Sequence, residues 1–373
     1  MNIEGNIAII CITENGKNLA VKINSLVNNC VIYQVKNKKS NLVVEETCVH
    51  TVQKKLSDFV GEIFSKFDYI IFIMATGIVV RSIAPYIISK FSDPAILVMD
   101  EKGKNVISLL SGHIGGANSL TQYISSLIDA NPVITTATDI NQKASLDMIA
   151  KKLNAHIDNF RESVKEVNSM LVNNKCVGLY VDEGYQVDTR GFKLIESKDE
   201  LRDSFSNTYI EKLVVVSNKI NCIEDIENLN LDNKFEHCYS TKKIIKVIPR
   251  DIVIGIGCRR NTDSELMYNS LEEFLNKQNI DIRAINTVGS IELKKDEKAI
   301  IELSKILKVP FKTFSIDEIS KVDNLFDKSD FVKKNVGVYS VAEPIAYLLS
   351  KGNLLVEKHK YKGITFSVGR IKI

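Results

Sequence analysis

Short runs of almost unbroken apolar residues alternate along this chain with amphipathic stretches of helical spacing. Ile7-Ala8-Ile9-Ile10-Cys11-Ile12 has the length and β-branched content of a buried strand, and 17–27 follows with helical spacing. Val31-Ile32-Tyr33-Gln34-Val35 reads as a second strand, and 52–64 as a helix with Leu56, Phe59, Val60 and Ile63 on one face. Tyr69-Ile70-Ile71-Phe72-Ile73-Met74 lacks polar alternation, as expected of a central parallel strand covered on both faces. A helix over 78–88 comes next, then strands over 94–100 and 106–110 that flank the hairpin turn Glu101-Lys102-Gly103-Lys104. Leu120, Tyr123, Ile124 and Leu127 mark another helix, and 132–136 another strand. This alternation predicts an α/β fold of open, mostly parallel sheets with flanking helices.

The pattern thins after about residue 140. A helix over 144–153, strands over 176–181 and 213–217, and turns at Gly191 and over 221–233 predict a smaller α/β middle domain. Regular alternation returns with the strand 252–258, a helix capped by Thr262 with Glu265 as box partner, the strands 284–288 and 309–314, and a helix over 297–307. Ser340 with Glu343 three residues later reads as a further capping box, opening a helix that turns Ile345, Leu348 and Leu349 inward. Pro344 falls in its first turn, where the missing N–H costs little. The strands 354–358 and 364–370 pair across Tyr361-Lys362-Gly363. The expected division is 1–139, 140–248 and 249–373.

Composition narrows the class without naming a function. The 373 residues are 45% hydrophobic and 25% charged, enough apolar content for sizeable cores. A net charge of +3, with acids interleaved among the bases, gives no footprint for nucleic acid. The seven cysteines, Cys11, Cys30, Cys48, Cys176, Cys222, Cys238 and Cys258, are scattered and contain no C-x-x-C, which suits reduced thiols in a cytoplasmic protein. The N-terminal residues lack a basic stretch followed by an apolar one, and no run reaches membrane-spanning length.

Chemistry-bearing residues gather where strands end. Ser111-Gly112-His113-Ile114-Gly115-Gly116-Ala117-Asn118 joins a strand to a helix. It is either a tight turn whose glycines satisfy backbone dihedrals or an anion-favouring helix start carrying the one side chain that titrates near neutrality. Thr76-Gly77, with Arg81 on the following helix, and Thr135-Thr136-Ala137-Thr138-Asp139 also end strands, and on one sheet edge the three would form a polar pocket. Thr76 reads equally as an N-cap, and Arg81 as a solvated charge. In Gly255-Ile256-Gly257-Cys258-Arg259-Arg260, two arginines follow a strand; Cys258 is either a nucleophile beside cations or a buried thiol. Glu343 is either a cap or a general base.

These blocks resemble the cobalt-precorrin-5A hydrolases of anaerobic cobalamin biosynthesis. Thr76-Gly77-Ile78-Val79-Val80-Arg81, the Ser111–Asn118 stretch and Ile134-Thr135-Thr136-Ala137-Thr138-Asp139 are similar to signatures of that family's N-terminal domain. Gly255–Arg260, Gly337-Val338-Tyr339-Ser340-Val341-Ala342-Glu343 and Lys358 are similar to those of its C-terminal domain. The chain departs from the pattern at Asn261, where glycine is common, and at Pro344 and Gly369, where alanine is common.

The resemblance implies hydrolytic opening of the δ-lactone of a ring-contracted cobalt tetrapyrrole, then carbon–carbon cleavage that releases acetaldehyde and leaves cobalt-precorrin-5B. His113, Asp139 and Glu343 are then the catalytic candidates. Thr76, Gly77, Arg81, Ser111, Gly112, Gly115, Gly116, Asn118, Thr136, Thr138, Cys258, Arg259, Arg260, Ser340 and Lys358 are the substrate-binding candidates. In particular, Gly115 and Gly116 would offer amides to an oxyanion, and the cations would meet the substrate's carboxylates. No protein-bound cofactor or metal is expected, since the substrate brings the cobalt. The expected partners are that substrate and neighbouring pathway enzymes, with a homodimer as candidate assembly and neither nucleic acid nor membrane. A non-catalytic tetrapyrrole carrier, and a protein of phosphorylated metabolites, are the competing readings.

Overall fold

A computed structural model describes residues 5–36, 48–197, 200, 210–222 and 244–373. Most of the turn-rich run at 221–233 lies outside the described residues, as do Met1–Glu4 and Cys238. The chain divides into two compact units, Met1–Lys143 and Ala144–Ile373. Among the described residues no helix is long and apolar enough to cross a membrane.

The first unit contains β1 (Ile7–Cys11), α1 (Glu14–Leu26), β2 (Cys30–Val35), β3 (Val49–Val52), α2 (Leu56–Ile63), β4 (Tyr69–Ile73), α3 (Thr76–Ile83), β5 (Ala95–Met99), β6 (Asn105–Leu110), α4 (Ala117–Ile128), β7 (Asn131–Val133) and α5 (Ala137–Ile140). Its described strands form one sheet in the order β3-β2-β1-β4-β5-β6-β7. Every neighbouring pair is parallel except β5 and β6, which the turn at 101–104 folds back antiparallel. The absence of polar alternation in β1 has its predicted cause: Ile7, Ile9 and Cys11 join one core, Ala8 and Ile10 the other, and all five are buried. Several predicted bounds move. Residues 49–52 pair with β2 as an edge strand, so the helix read over 52–64 begins only at Leu56. The helix read over 78–88 is α3, which starts at Thr76 and ends in a 3₁₀ turn, Ala84–Tyr86.

The second unit carries two sheets. The first is built from α6 (Leu146–Lys152), α7 (Phe160–Val172), β8 (Val177–Val181), β9 (Lys193–Ile195), β10 (Lys212–Val216) and β11 (Ile244–Val247), with described strands all parallel in the order β11-β10-β8-β9. The other contains β12 (Ile252–Cys258), α8 (Ser264–Lys277), β13 (Ile285–Ile291), α9 (Lys298–Leu307), β14 (Phe311–Phe314), α10 (Ile316–Ser320), α11 (Asp330–Val336), α12 (Ala342–Leu349), β15 (Leu354–Tyr361) and β16 (Ile364–Arg370). Its order is β14-β13-β12-β16-β15, parallel through β12 and antiparallel beyond it.

Both expected capping boxes in this region are replaced by longer-range bonds. Thr262 donates its hydroxyl to the Arg259 carbonyl and its amide to Glu297, so Asp263 caps α8 by accepting from Leu266 N at 2.8 Å. The N-cap of α12 is Val341, with no side-chain cap, because Glu343 is drawn to Lys358. The departures from the family pattern also gain a physical reading. Asn261 sits at φ 56°, a left-handed position that asparagine tolerates better than most residues. A Cβ on Gly369 would stand 2.7 Å from the Ala346 carbonyl oxygen, so this chain's α12 packs where an alanine would need the helix to shift.

Ion pairs join the two sheets of this unit. Asp251, fully buried, accepts from Arg370 Nε (2.6 Å), Tyr185 Oη (2.9 Å) and Asn218 Nδ2 (3.0 Å). Nearby, Asp281 binds Lys246 and Arg283. Burial alone would raise the Asp281 carboxyl, but hydrogen bonds from Arg283 and Lys246 outweigh it and hold the group at about 2, below its usual 3.8. A carboxyl depressed in the folded state stabilises fully above the unfolded value and loses that contribution as pH falls through the folded one. The urea midpoint of Asp281→Asn should therefore lie below wild type at pH 7. The gap should narrow from about pH 4 downward and close near pH 2.

Candidate functional site

The residues that assemble a site in the first unit come from the ends of β6 and β7. These strands are parallel, so both chain exits leave the same sheet edge. After β6 the chain turns sharply: Ser111 takes a left-handed φ of 57°, and its hydroxyl donates to the Asp93 carbonyl at 3.0 Å. A Cβ on Gly115 would lie 2.4 Å from the Ser111 Cβ, so only glycine closes this turn; Gly116 follows at φ 89°. Gly112 serves differently. A Cβ there would come within 2.7 Å of Asn118 Oδ1, and its absence makes room for that amide.

Around the turn lies a polar network. His113 Nε2 is 2.8 Å from Asp139 Oδ2 and 2.9 Å from Thr138 Oγ1. Buried Asn118 donates Nδ2 to the same Asp139 oxygen at 2.7 Å and to Thr136 Oγ1 at 2.9 Å, while its Oδ1 meets Ser108 Oγ at 2.6 Å. An ionised carboxylate can only accept, so Nε2 carries the proton of the neutral ring and donates it toward Asp139. The imidazole is thereby oriented beside an anion that stabilises its protonated form. The His113 side chain is 17% exposed and that of Asp139 35%, so the pair is partly open to solvent.

Two of the expected roles change. The Gly116 amide is taken by the His113 carbonyl at 3.0 Å, which removes it as an oxyanion donor; the Gly115 amide has no acceptor among the described residues. Thr76, Gly77 and Arg81 do not share this edge. β4 and β5 run parallel and β6 runs against them, so the end of β6 lies beside the start of β4, whereas Thr76 follows the end of β4. The two places are about 15 Å apart along the strands. Thr76 is the first residue of α3, after an Ala75 N-cap, and exposed Arg81 donates to the Gly77 carbonyl one turn back. The three strand ends read from the sequence therefore form one pair and one outlier.

The C-terminal candidates gather at the end of β12 and the start of α12. Glu343 is buried and accepts from Ser340 Oγ (3.2 Å) and the Lys358 amide (3.2 Å), with Lys358 Nζ at 3.3 Å. The Lys358 ammonium also reaches Asp327. Glu343 is thus held as a paired carboxylate tying α12 to β15, an arrangement unlike a general base. Arg260 is in an exposed ion pair with Asp296 and also donates to the Leu293 carbonyl. Among the described residues Arg259 has no side-chain hydrogen-bond or ion-pair partner, leaving it available to a ligand carboxylate. Burial pushes the Cys258 thiol up, and the opposing charges of Lys294 and Arg260 and a hydrogen bond with Thr262 do not cancel it. This is the reverse of what an activated nucleophile needs. In the folded chain Cys258 should react with iodoacetamide at pH 7 at least about tenfold more slowly than exposed Cys48, read peptide by peptide by mass spectrometry.

Among the described residues no group of three or more His, Cys, Asp or Glu is placed to hold a metal. A cleft of about 560 Å³ over β8 and β9, lined by Leu179, Val181, Tyr185, Gln186, Leu194 and Glu196 among others, holds none of the sequence-derived candidates.

Three family descriptions match in chain order: "Cobalamin synthesis G N-terminal" over residues 58–139, "Cobalamin biosynthesis central region" over 144–231 and "Cobalamin synthesis G C-terminus" over 252–369. The cobalt-precorrin-5A hydrolase of Salmonella typhimurium is 37% identical over 370 residues, covering 98% of this chain and 97% of the relative. The chain belongs to the cobalt-precorrin-5A hydrolase family. A second member, from Priestia megaterium, is 28% identical over 98% of this chain and 95% of its own length. Among solved structures, a cobalamin biosynthesis protein G homolog from Sulfolobus solfataricus is 23% identical, covers 98% of this chain and 97% of its own, and has a TM-score of 0.38. The family's N-terminal match contains both His113 and Asp139. It also contains Ser108, which the sequence reading missed. The available signal was a lone hydroxyl on the face that Val106 turns into the core beneath α4.

Proposed function

We propose that this chain is a cobalt-precorrin-5A hydrolase, opening the δ-lactone of its substrate with water and releasing acetaldehyde. The observation that carries this reading is the 37% identity with the Salmonella typhimurium enzyme over nearly the whole of both chains, which spans both chemistry-bearing units. The His113–Asp139 pair supplies matching chemistry. His113 takes a proton from water as the oxygen attacks the lactone carbonyl, and Asp139 stabilises the imidazolium that forms. The Gly115 amide meets the developing oxyanion. The ester C–O bond then breaks, the proton on His113 passes to the departing oxygen on the meso carbon, and the carboxylic acid left behind loses its proton to solvent. In the second step that hydroxyl loses its proton and the bond from the meso carbon to the macrocycle breaks. The bond's electron pair stays with the macrocycle and is protonated, and acetaldehyde departs.

In the second unit Arg259 is open to a ligand carboxylate, whereas Lys358 and Arg260 are held in their own ion pairs. Cobalt enters and leaves with the macrocycle. Incubating the full chain with cobalt-precorrin-5A tests the reading: one equivalent of acetaldehyde and cobalt-precorrin-5B are expected. Tight binding without acetaldehyde would instead mark a carrier.

A further inference from the structure

The hydrogen bonds behind Asp139 form a device whose far end is Ser108. Asp139 can only accept while ionised, so the Asn118 amide must present Nδ2 to it, at 2.7 Å. That orientation leaves Oδ1 facing Ser108, 2.6 Å away, so the serine hydroxyl donates. Asn118 is 6% exposed and its turn is shaped for it, since any side chain at residue 112 would collide with the amide. Thr136 accepts the second Nδ2 hydrogen, so both ends of the amide are taken.

We propose that Ser108 is a positioning residue: by donating to Asn118 Oδ1 it stabilises the amide orientation that an ionised Asp139 requires, and so holds that carboxylate against His113. Without the Ser108 donor, the buried Oδ1 has no partner in the observed orientation. Turning over, the amide can regain one from the Thr136 hydroxyl, but Oδ1 would then also face Asp139, which is favourable only when that carboxyl is protonated and donates. Removing the hydroxyl therefore favours protonated Asp139, and its titration moves up. Protonated Asp139 no longer supports a charged imidazole, so proton transfer to His113 slows, while the acid limb, set by protonation of His113 itself, does not rise. Ser108 acts through Asn118 and Asp139 and has no contact with substrate in this scheme. The kinetic part rests on the function proposed above, while the titration of Asp139 does not.

The test follows Ser108→Ala, Ser108→Cys and Ser108→Thr in the full chain by two readouts. One is the Asp139 carboxyl, titrated by ¹³C NMR without substrate. The other is the pH dependence of single-turnover acetaldehyde release. In Ser108→Ala the carboxyl titration should rise by about half to one pH unit and the rate at saturation should fall, with the acid limb not raised and KM unchanged. Ser108→Cys, a weaker donor of similar size, should shift the same way and stands in if the alanine variant does not fold. Ser108→Thr should return both readouts toward wild type. A folded Ser108→Ala or Ser108→Cys whose Asp139 titrates as in the wild type would overturn the proposal. So would a raised KM with the rate at saturation unchanged. If the wild type released no acetaldehyde, the functional reading would fail and the NMR titration alone would decide the role of Ser108.

Discussion

Alanine at His113 should lower single-turnover acetaldehyde release by about 10²–10⁴-fold, the range by which a positioned acid–base group accelerates such steps. The imidazole is the titratable side chain that both contacts the Asp139 carboxylate and is partly open to solvent at this edge. Its removal takes away the acceptor for the water proton and the donor for the leaving oxygen together. The fold should survive, because the turn is closed by backbone bonds: Gly116 N to the His113 carbonyl, Ala117 N to Ser111 and Asn118 N to Gly112. Circular dichroism and the urea midpoint should stay close to wild type while the rate falls. A variant that keeps wild-type turnover would remove His113 from the mechanism.

Gly255→Ala should be the most damaging single methyl in the second unit. A Cβ at that position would lie 1.9 Å from the Ala342 carbonyl oxygen and 2.7 Å from the Ala346 amide nitrogen. Both are helix backbone, so no rotamer change relieves the clash, and α12 must lift from β12. Overpacking by one methyl commonly costs about 1–3 kcal/mol where side chains can adjust, and here the cost should exceed about 3 kcal/mol. Because α12 also carries Glu343 and packs over β16, loss of soluble folded protein is the expected outcome. Gly257→Ala is the control. Its nearest neighbour would be Val341 Cβ at 3.6 Å, an ordinary contact, so its urea midpoint should change little.

The alternation of apolar and amphipathic runs was enough to specify α/β sheets and most elements, because strands covered on both faces leave little ambiguity. The pairing of His113 with Asp139 was equally legible: two strands ending in polar turns, parallel to one another, expose those turns side by side. Thr76 lies away from this edge for a reason that the sequence itself carries. The hairpin at 101–104 reverses the chain once between β4 and β6, and one reversal sends a strand's end to the opposite edge. Other differences turned on contacts distant in sequence. Ser340 and Glu343 have capping-box spacing, yet Lys358, fifteen residues beyond Glu343, binds the carboxylate first. Thr262 and Asp263 are both good caps, and Glu297 decides between them by taking the Thr262 amide. Ser108 was hidden in a strand because one hydroxyl barely alters an apolar run; its role shows only when Asn118 is folded against it.

In the proposed function lactone opening takes place at the edge shared by β6 and β7, and the Glu343–Lys358 pair shapes the second unit. The most direct test compares single-turnover acetaldehyde release at saturating cobalt-precorrin-5A among the wild type, Asp139→Asn and Glu343→Gln, each verified as folded. Asp139→Asn should lose at least about 10²-fold, with Glu343→Gln within about tenfold of the wild type. Wild-type release by Asp139→Asn together with its loss in Glu343→Gln would contradict the account and move the chemistry to the C-terminal cluster.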